Sequence, residues 1–137
     1  MSITEKLAVL SAASQGASRV ILPKSKVRIS GKVIHTRFCA ENTRSPTKYK
    51  FNINPNTLSA DFELWVCGRS ECYYLLPVAI LRKIYDNPST YVDNTHPDIR
   101  VISLDIKTNF VMYARGGASI SIADCFRTTL TKLAGGA

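Results

Sequence analysis

The sequence predicts one α+β domain in which helices flank a central, mostly antiparallel mixed sheet, and three observations lead to this prediction. The 137 residues have the length of a single domain, which is enough to bury a hydrophobic core without disulfide bonds or a structural metal ion. A composition of 45% hydrophobic and 20% charged residues is typical of globular proteins. Segments with a two-residue period dominate the chain, whereas helical spacing is confined to a few segments. We therefore interpret residues 1–137 as one domain.

The first third of the chain predicts a helix followed by strands. Residues 3–14 carry apolar side chains at helical spacing, and Gly16 is a natural helix stop. The β-branched run at 19–23 predicts a buried strand that ends at its proline. Alternation over 26–38 predicts a further strand, with Gly31 as a bulge or a turn within it.

The middle of the chain predicts a strand and then a hairpin. After a polar loop at 40–47, apolar residues at 49, 51 and 53 alternate with polar ones, which predicts a strand. The apolar segments at 61–67 and 73–77 predict a hairpin whose turn lies around Gly68.

The last part of the chain predicts two helices and two strands. Pro77 stands at a favourable first position for a short helix. After a polar loop, the segments at 101–106 and 110–114 predict strands, and residues 120–133 predict a closing helix.

The chain lacks the features of an exported or membrane-inserted protein. Its apolar runs are far shorter than the roughly 20 residues of a membrane-spanning helix. The N-terminal segment contains Glu5 and has no basic n-region, which is not typical of a signal peptide. The cysteines at 39, 67, 72 and 125 lack the paired spacing of a zinc site and are predicted to be reduced and mostly buried. We therefore predict a cytoplasmic protein with neither a membrane partner nor a metal site.

Positive charge is concentrated at the start of the chain. The formal net charge of the whole protein is +8, and residues 1–50, with ten Lys or Arg and two acidic residues, have a net charge of +8 by themselves. Residues 51–100 have a net charge of −2, and residues 101–137 have one of +2. Because a concentrated excess can act as an electrostatic footprint, we predict a nucleic-acid partner.

Strand alternation groups these basic side chains. Lys26 and Arg28 are two positions apart and share one face of a strand, as do Lys48 and Lys50 on a later strand. Such faces can neutralise phosphates and release their counterions; the alternative is a solvated face without a partner. The loop at 41–47 adds polar groups suited to phosphates or base edges. The residues predicted to bind nucleic acid are Lys24, Lys26, Arg28, Lys32, Arg37, Arg44, Lys48 and Lys50.

Three other groups of residues are candidates for chemistry or for base contacts. Asp61 and Glu63 share a strand face and can hold a divalent cation, as metal-dependent nucleases require. The alternative is that they simply lie on a solvent-exposed strand face, where such pairs are common. His35 is a candidate general base, or else a structural histidine. Four aromatic residues can stack on the bases of a single strand or pack in the core. They are Tyr49, Trp65, Tyr73 and Tyr74.

The order of several segments resembles that of small PD-(D/E)XK nucleases, a superfamily with the restriction-endonuclease-like fold. KVIHTRF, YKFNI, ADFELWVC and ECYYLLPVAIL occur in the order of that family's catalytic [E/Q]xKT strand, its next strand, and its "aDF" and "YYxxP" strands. The GGASISI stretch also resembles the end of that family. The resemblance covers most of the chain and implies a restriction-endonuclease-like sheet that binds DNA.

The residues that such nucleases need for catalysis are missing from this pattern. Aligning VIHT with [E/Q]xKT places Val33 at the acidic or amide position and His35 at the lysine position. The segment at 23–32 contains no acidic residue where the family has its metal-binding aspartate. The resemblance therefore implies a nuclease fold that has lost its catalytic centre and kept a DNA-binding surface.

The leading hypothesis is accordingly a DNA-binding protein on a nuclease-like fold, with DNA favoured over RNA and with no cofactor. The first alternative is an active endonuclease that binds Mg²⁺ through Asp61 and Glu63, with Lys32 or Lys50 nearby. The second is an interaction module or inhibitor subunit, whose apolar hairpin at 61–77 offers a homodimer interface. A small ribonuclease toxin is a further, RNA-directed alternative.

Overall fold

The computed structural model describes residues 3–130 and 132, and this part of the chain contains two helices and nine strands. The helices are α1 (Ile3–Ser14) and α2 (Val78–Tyr85). The strands are β1 (Arg19–Leu22), β2 (Lys26–Ile29), β3 (Lys32–Cys39), β4 (Lys48–Lys50), β5 (Phe62–Cys67), β6 (Tyr73–Pro77), β7 (Ser103–Asp105), β8 (Phe110–Ala114) and β9 (Ala118–Ser121). Neither described helix has the length and apolar character needed to cross a membrane.

Five strands form the central sheet, in the order β1-β2-β3-β5-β6. β3 and β5 are parallel and the other three neighbouring pairs are antiparallel, so the predicted mostly antiparallel mixed sheet is confirmed. A two-residue turn at Ser30 and Gly31 joins β2 to β3, and both residues have positive φ angles, as tight hairpin turns of type I′ require. The alternation over 26–38 therefore belongs to two strands joined by a turn.

Four further strands form a separate antiparallel sheet, in the order β4-β7-β8-β9. The sequence predicted β4, β7 and β8, but neither β9 nor a second sheet. The alternation around β4 is confirmed, because Tyr49, Phe51 and Ile53 are buried while Lys48 and Lys50 are exposed. The architecture is thus α+β with two sheets.

Two hydrophobic clusters cover opposite faces of the central sheet. On one face, α1 packs through Val9 and Leu10 against a cluster that includes Leu64. On the other face, Trp65 stacks on Phe51 with their ring centroids 4.2 Å apart, within a cluster that includes residues of α2 and of the second sheet. The layers therefore follow in the order α1, central sheet, second sheet, with α2 beside the second sheet.

Two predictions about individual elements are wrong. β1 is exposed rather than buried, with Val20 and Ile21 57% and 70% exposed, because among the described strands only β2 pairs with it. Residues 120–129 do not form a closing helix, since β9 and a 3₁₀ turn at Ala123–Cys125 occupy much of this segment. Of the remaining positions of that predicted helix, Leu130 and Lys132 are helical, and 131 and 133 lie outside the described residues.

The predicted β5–β6 hairpin is confirmed, and nearly all of its strand residues are buried in the domain. Val66 is opposite Tyr73, and every residue of β5 is buried. In β6, all residues before Pro77 are buried as well. The apolar side chains of the hairpin are therefore packed inside the domain, and its use as a homodimer interface stays a prediction.

Candidate nucleic-acid interface

A row of polar residues crosses the central sheet on the face opposite α1. Lys26 on β2 is opposite His35 on β3, and His35 is opposite Glu63 on β5. Because successive strand residues point to opposite faces, Ile34 is buried toward α1 while His35 and Arg37 point the other way. The parallel pairing of β3 with β5 thus brings together polar residues that are distant in sequence.

Glu63 is a buried carboxylate with two basic partners. Its side chain is 0% exposed; Oε2 accepts a hydrogen bond from Nδ1 of His35 at 2.8 Å, and Oε1 accepts one from Nε of Arg37 at 2.5 Å. Burial of an unpaired carboxylate is strongly unfavourable, so the charge of Arg37 compensates for the lost hydration of Glu63. Both carboxylate oxygens of Glu63 are therefore occupied by groups of β3.

The turn at 54–59 forms a wall beside these residues. Nη2 of Arg37 donates to Oγ1 of Thr57 at 2.9 Å, and Nζ of Lys26 donates to Oγ of Ser59 at 2.8 Å. Both basic side chains are thereby held between the sheet and the turn. These contacts join residues 20 and 33 positions apart, so the sequence gave no sign of them.

Arg82 on α2 anchors the same turn. Its guanidinium donates to the carbonyl oxygens of Pro55 at 3.1 Å and of Leu58 at 2.8 Å. Sequence reasoning missed Arg82, because its contacts depend on how α2 packs rather than on a local pattern. The turn beside Lys26 and Arg37 is therefore held in place by a helix.

The sheet face, the turn and residues 50–53 line an open, two-part cleft, which we call the basic groove. The two parts have volumes of about 390 and 360 Å³, within the range of small-ligand sites, and they share His35 and Arg37. None of the described residues that line either part is acidic. The first part is lined by Lys24, Lys26, His35, Arg37, Asn56, Thr57 and Ser59, and the second by residues 35–39 and 50–53.

Four of the eight basic residues predicted to bind nucleic acid line this groove. They come from the β1–β2 loop, from β2, from β3 and from the end of β4, so the fold gathers charges from four segments onto one surface. These residues are Lys24, Lys26, Arg37 and Lys50.

The other four predicted basic residues are exposed but do not line the groove. Arg28 lies further along β2 on the same side as Lys26, and Lys32 begins β3. Arg44 lies in the loop before β4, and Lys48 is opposite Asp105 on β7. A role for these four residues in binding stays a prediction.

The two carboxylates predicted as metal ligands have different partners. Asp61 is exposed and precedes β5, and its Oδ2 accepts a hydrogen bond from the backbone N–H of Val33 at 2.8 Å. Glu63 contacts His35 and Arg37 instead. Within the described part of the chain, no cluster of three or more His, Cys, Asp or Glu residues could hold a metal ion. The geometry therefore does not gather a metal cage around Asp61 and Glu63.

The four aromatic residues considered for base stacking belong to the core. Tyr49 and Tyr73 are 4% and 5% exposed, and Trp65 and Tyr74 are 0% exposed. Stacking on bases is therefore the wrong interpretation, because these rings have almost no surface that a base could reach. Core packing, the alternative, is confirmed for all four.

The four cysteines are free thiols, and three of them, Cys67, Cys72 and Cys125, are buried. Burial raises the pKa of Cys39 and Cys72 and raises the pKa of Cys125 to about 11. A raised pKa lowers the thiolate fraction near neutral pH, so these thiols are poorly suited to nucleophilic chemistry. The prediction of mostly buried thiols is confirmed.

Comparisons with known proteins add no further constraint. No protein-family model matches the sequence, and no curated protein or solved structure matches it either. The basic groove and the buried carboxylate beside it are therefore the observations from which a function is inferred.

Proposed function

We propose that this protein binds the phosphodiester backbone of nucleic acid in the basic groove. The observation that carries this proposal is the charge of the groove: four Lys and Arg side chains line it, none of its described lining residues is acidic, and Glu63 beneath it balances only one of the four charges. Such a surface attracts a polyanion and gains free energy when the condensed counterions are released. Nucleic acid is therefore the ligand class that the groove suits best.

Uncharged polar groups in the groove support the same proposal. Asn52 and Asn56 offer amides, and Thr57 and Ser59 offer hydroxyls. These groups can form hydrogen bonds with phosphate oxygens, with sugars or with base edges. The lysines supply attraction over distance, whereas these shorter side chains can position a bound strand.

The order of segments that resembles the PD-(D/E)XK nucleases is also consistent with this function. We infer that the domain is a degenerate, restriction-endonuclease-like scaffold in which Val33 and His35 stand at the [E/Q]xKT positions. On that basis DNA is the ligand that the resemblance favours. The basic groove itself suits the backbone that DNA and RNA share, so the test compares both.

Fluorescence anisotropy with short labelled duplex DNA, single-stranded DNA and RNA tests the proposal. If four phosphates are contacted, affinity is expected to fall on the order of 10²-fold between about 50 and 200 mM salt. The Lys24→Ala/Lys50→Ala double variant is expected to bind about tenfold more weakly than the wild type. Arg115→Ala is the control, because Arg115 is exposed beside the second sheet and does not line the groove. An equal loss in both variants, or no salt-sensitive complex with any ligand, contradicts the proposal.

A further inference from the structure

His35 has the hydrogen-bond geometry of a general base. A carboxylate only accepts hydrogen bonds, so Nδ1 of His35, 2.8 Å from Oε2 of Glu63, is the nitrogen that carries the proton. In the neutral imidazole, Nε2 then keeps its lone pair, and no described residue forms a hydrogen bond with Nε2. Because His35 lines both parts of the basic groove, this lone pair is available to a bound ligand.

Lys26 and Arg37 provide positive charge on either side of His35. Lys26 is directly opposite His35 in the β2–β3 pair, which places such cross-strand neighbours about 5 Å apart at their Cβ atoms. Arg37 lies two residues along β3, and its bonds to Glu63 and Thr57 fix the plane of its guanidinium. Cations fixed beside a base stabilise the negative charge that develops on a phosphoryl group under attack.

We propose that the basic groove cleaves RNA by metal-independent transesterification, with His35 as the general base. This inference rests on the proposed function, because the groove has to bind the RNA backbone before His35 can act on it. No hydroxyl or thiol among the described lining residues forms a hydrogen bond with His35, whereas RNA carries its own nucleophile in the ribose 2′-hydroxyl, which DNA lacks. With His35 as the base, RNA bound in this groove can therefore undergo a cleavage reaction that DNA cannot.

The proposed step needs only groups that the groove and the substrate supply. Nε2 of His35 takes the proton of the 2′-hydroxyl, and O2′ forms a bond to phosphorus. The bond between phosphorus and O5′ breaks, and O5′ keeps the electron pair and takes a proton from the ammonium of Lys26. The products are a 2′,3′-cyclic phosphate and a 5′-hydroxyl end. His35 then releases its proton to water and Lys26 regains one, so no metal, oxidant or other co-reactant is consumed.

Glu63 is a positioning residue in this scheme. Its carboxylate is fully buried and does not reach a bound strand, but it fixes the tautomer of His35. It also stabilises the imidazolium that forms when His35 accepts the proton.

A cleavage assay with single-stranded RNA in the presence of EDTA tests this inference. The wild type is expected to produce fragments that end in a cyclic phosphate, and to bind 2′-O-methyl RNA of the same sequence without cleaving it. His35→Gln keeps an amide that can donate to Glu63 but has no basic nitrogen. It is expected to cleave about 10²- to 10⁴-fold more slowly than the wild type while it still binds RNA.

The outcomes separate this inference from the proposed function. RNA that is bound by the wild type and left intact overturns the inference alone. Equal cleavage by wild type and His35→Gln also overturns it, because the activity then comes from another residue or from a contaminating ribonuclease. No binding of RNA or DNA overturns both. If His35→Gln does not fold, Lys26→Arg takes its place: it keeps the charge but not a readily released proton, so slow cleavage with intact binding supports the inference and unchanged cleavage overturns it.

Discussion

Nδ1 of His35 and Oε2 of Glu63 lie 2.8 Å apart, although 28 positions separate the two residues in sequence. The contact exists because β3 and β5 pair in parallel with His35 opposite Glu63. Arg37 donates to the other carboxylate oxygen, so one buried acid joins two basic residues of the groove. The stability of the central sheet is thereby coupled to the arrangement of the groove.

Glu63→Gln is expected to lower the free energy of unfolding by about 2 kcal/mol. Removal of one partner from a buried ion pair leaves the other charge uncompensated, and the 21% exposure of Arg37 keeps the loss below that of a fully buried pair. Urea unfolding followed by the fluorescence of Trp65, the single tryptophan, measures this change. Glu71→Gln removes an exposed carboxylate and is expected to stay within about 0.5 kcal/mol of the wild type. Equal effects of the two substitutions would contradict a structural role for Glu63.

Gly68→Ala is expected to destabilise the domain more than Gly31→Ala does. Both glycines have positive φ angles, which strain an alanine, but an added Cβ at Gly68 would also lie 2.7 Å from the hydroxyl oxygen of Tyr49, whose ring is buried. A Cβ at Gly31 meets nothing within 4 Å. We expect losses of about 3 kcal/mol at Gly68 and about 1 kcal/mol at Gly31, measured by urea unfolding. Similar losses would mean that Tyr49 moves aside.

The salt dependence of binding is expected to distinguish the groove from a diffuse basic surface. Lys50 lines the groove, whereas Lys48, two residues away on the same strand, does not. Lys50→Ala should reduce the slope of log affinity against log salt for duplex DNA by about 0.9, the contribution of one phosphate contact. Lys48→Ala should leave the slope nearly unchanged. Equal reductions would show that the ligand follows the exposed face of β4 instead.

Alkaline pH is expected to destabilise the protein through its buried thiols. Burial raises the pKa of Cys125 from its ordinary value of 9.0 to about 11, and it also raises the pKa of Cys67. Above pH 9.0 the unfolded chain releases a proton that the folded chain keeps, so stability that is present below pH 9.0 is lost as pH rises toward about 11. Urea unfolding of wild type and Cys125→Ala across this range tests the effect. The variant should show a shallower decline, and identical declines would exclude Cys125 as a contributor.

The spacing of apolar residues correctly predicted those elements whose structure depends on a single segment of the chain. The helix at 3–14 depends on spacing and on the stop at Gly16, which lie within one segment. The alternation that starts at Tyr49 identified core and surface residues because a strand between core and solvent must alternate. Over 120–129 the predicted closing helix is wrong. Ile120 and Ile122 are two positions apart, which is strand spacing rather than helical spacing, and Ile120 belongs to β9.

The candidate site was only partly predictable. Charge alone identified Lys24, Lys26, Arg37 and Lys50, since a concentrated excess is visible in the sequence. Which strands are neighbours, and in which direction they run, is set by packing across the whole domain. The partnership of His35 with Glu63 therefore was not predicted. For the same reason, the exposure of β1 was not predicted: an apolar run of this length suits an edge strand as well as a central one.

The anchoring of the turn at 54–59 by Arg82 has a consequence for the entropy of binding. The turn is already ordered by protein contacts, so a ligand does not have to immobilise a flexible loop when it binds. The groove is in this sense a preorganised receptor, whose affinity is set by desolvation and ion release rather than by loop ordering. Weakening this anchor would leave every groove-lining side chain unaltered and still reduce affinity, because the turn would then have to be ordered in each binding event.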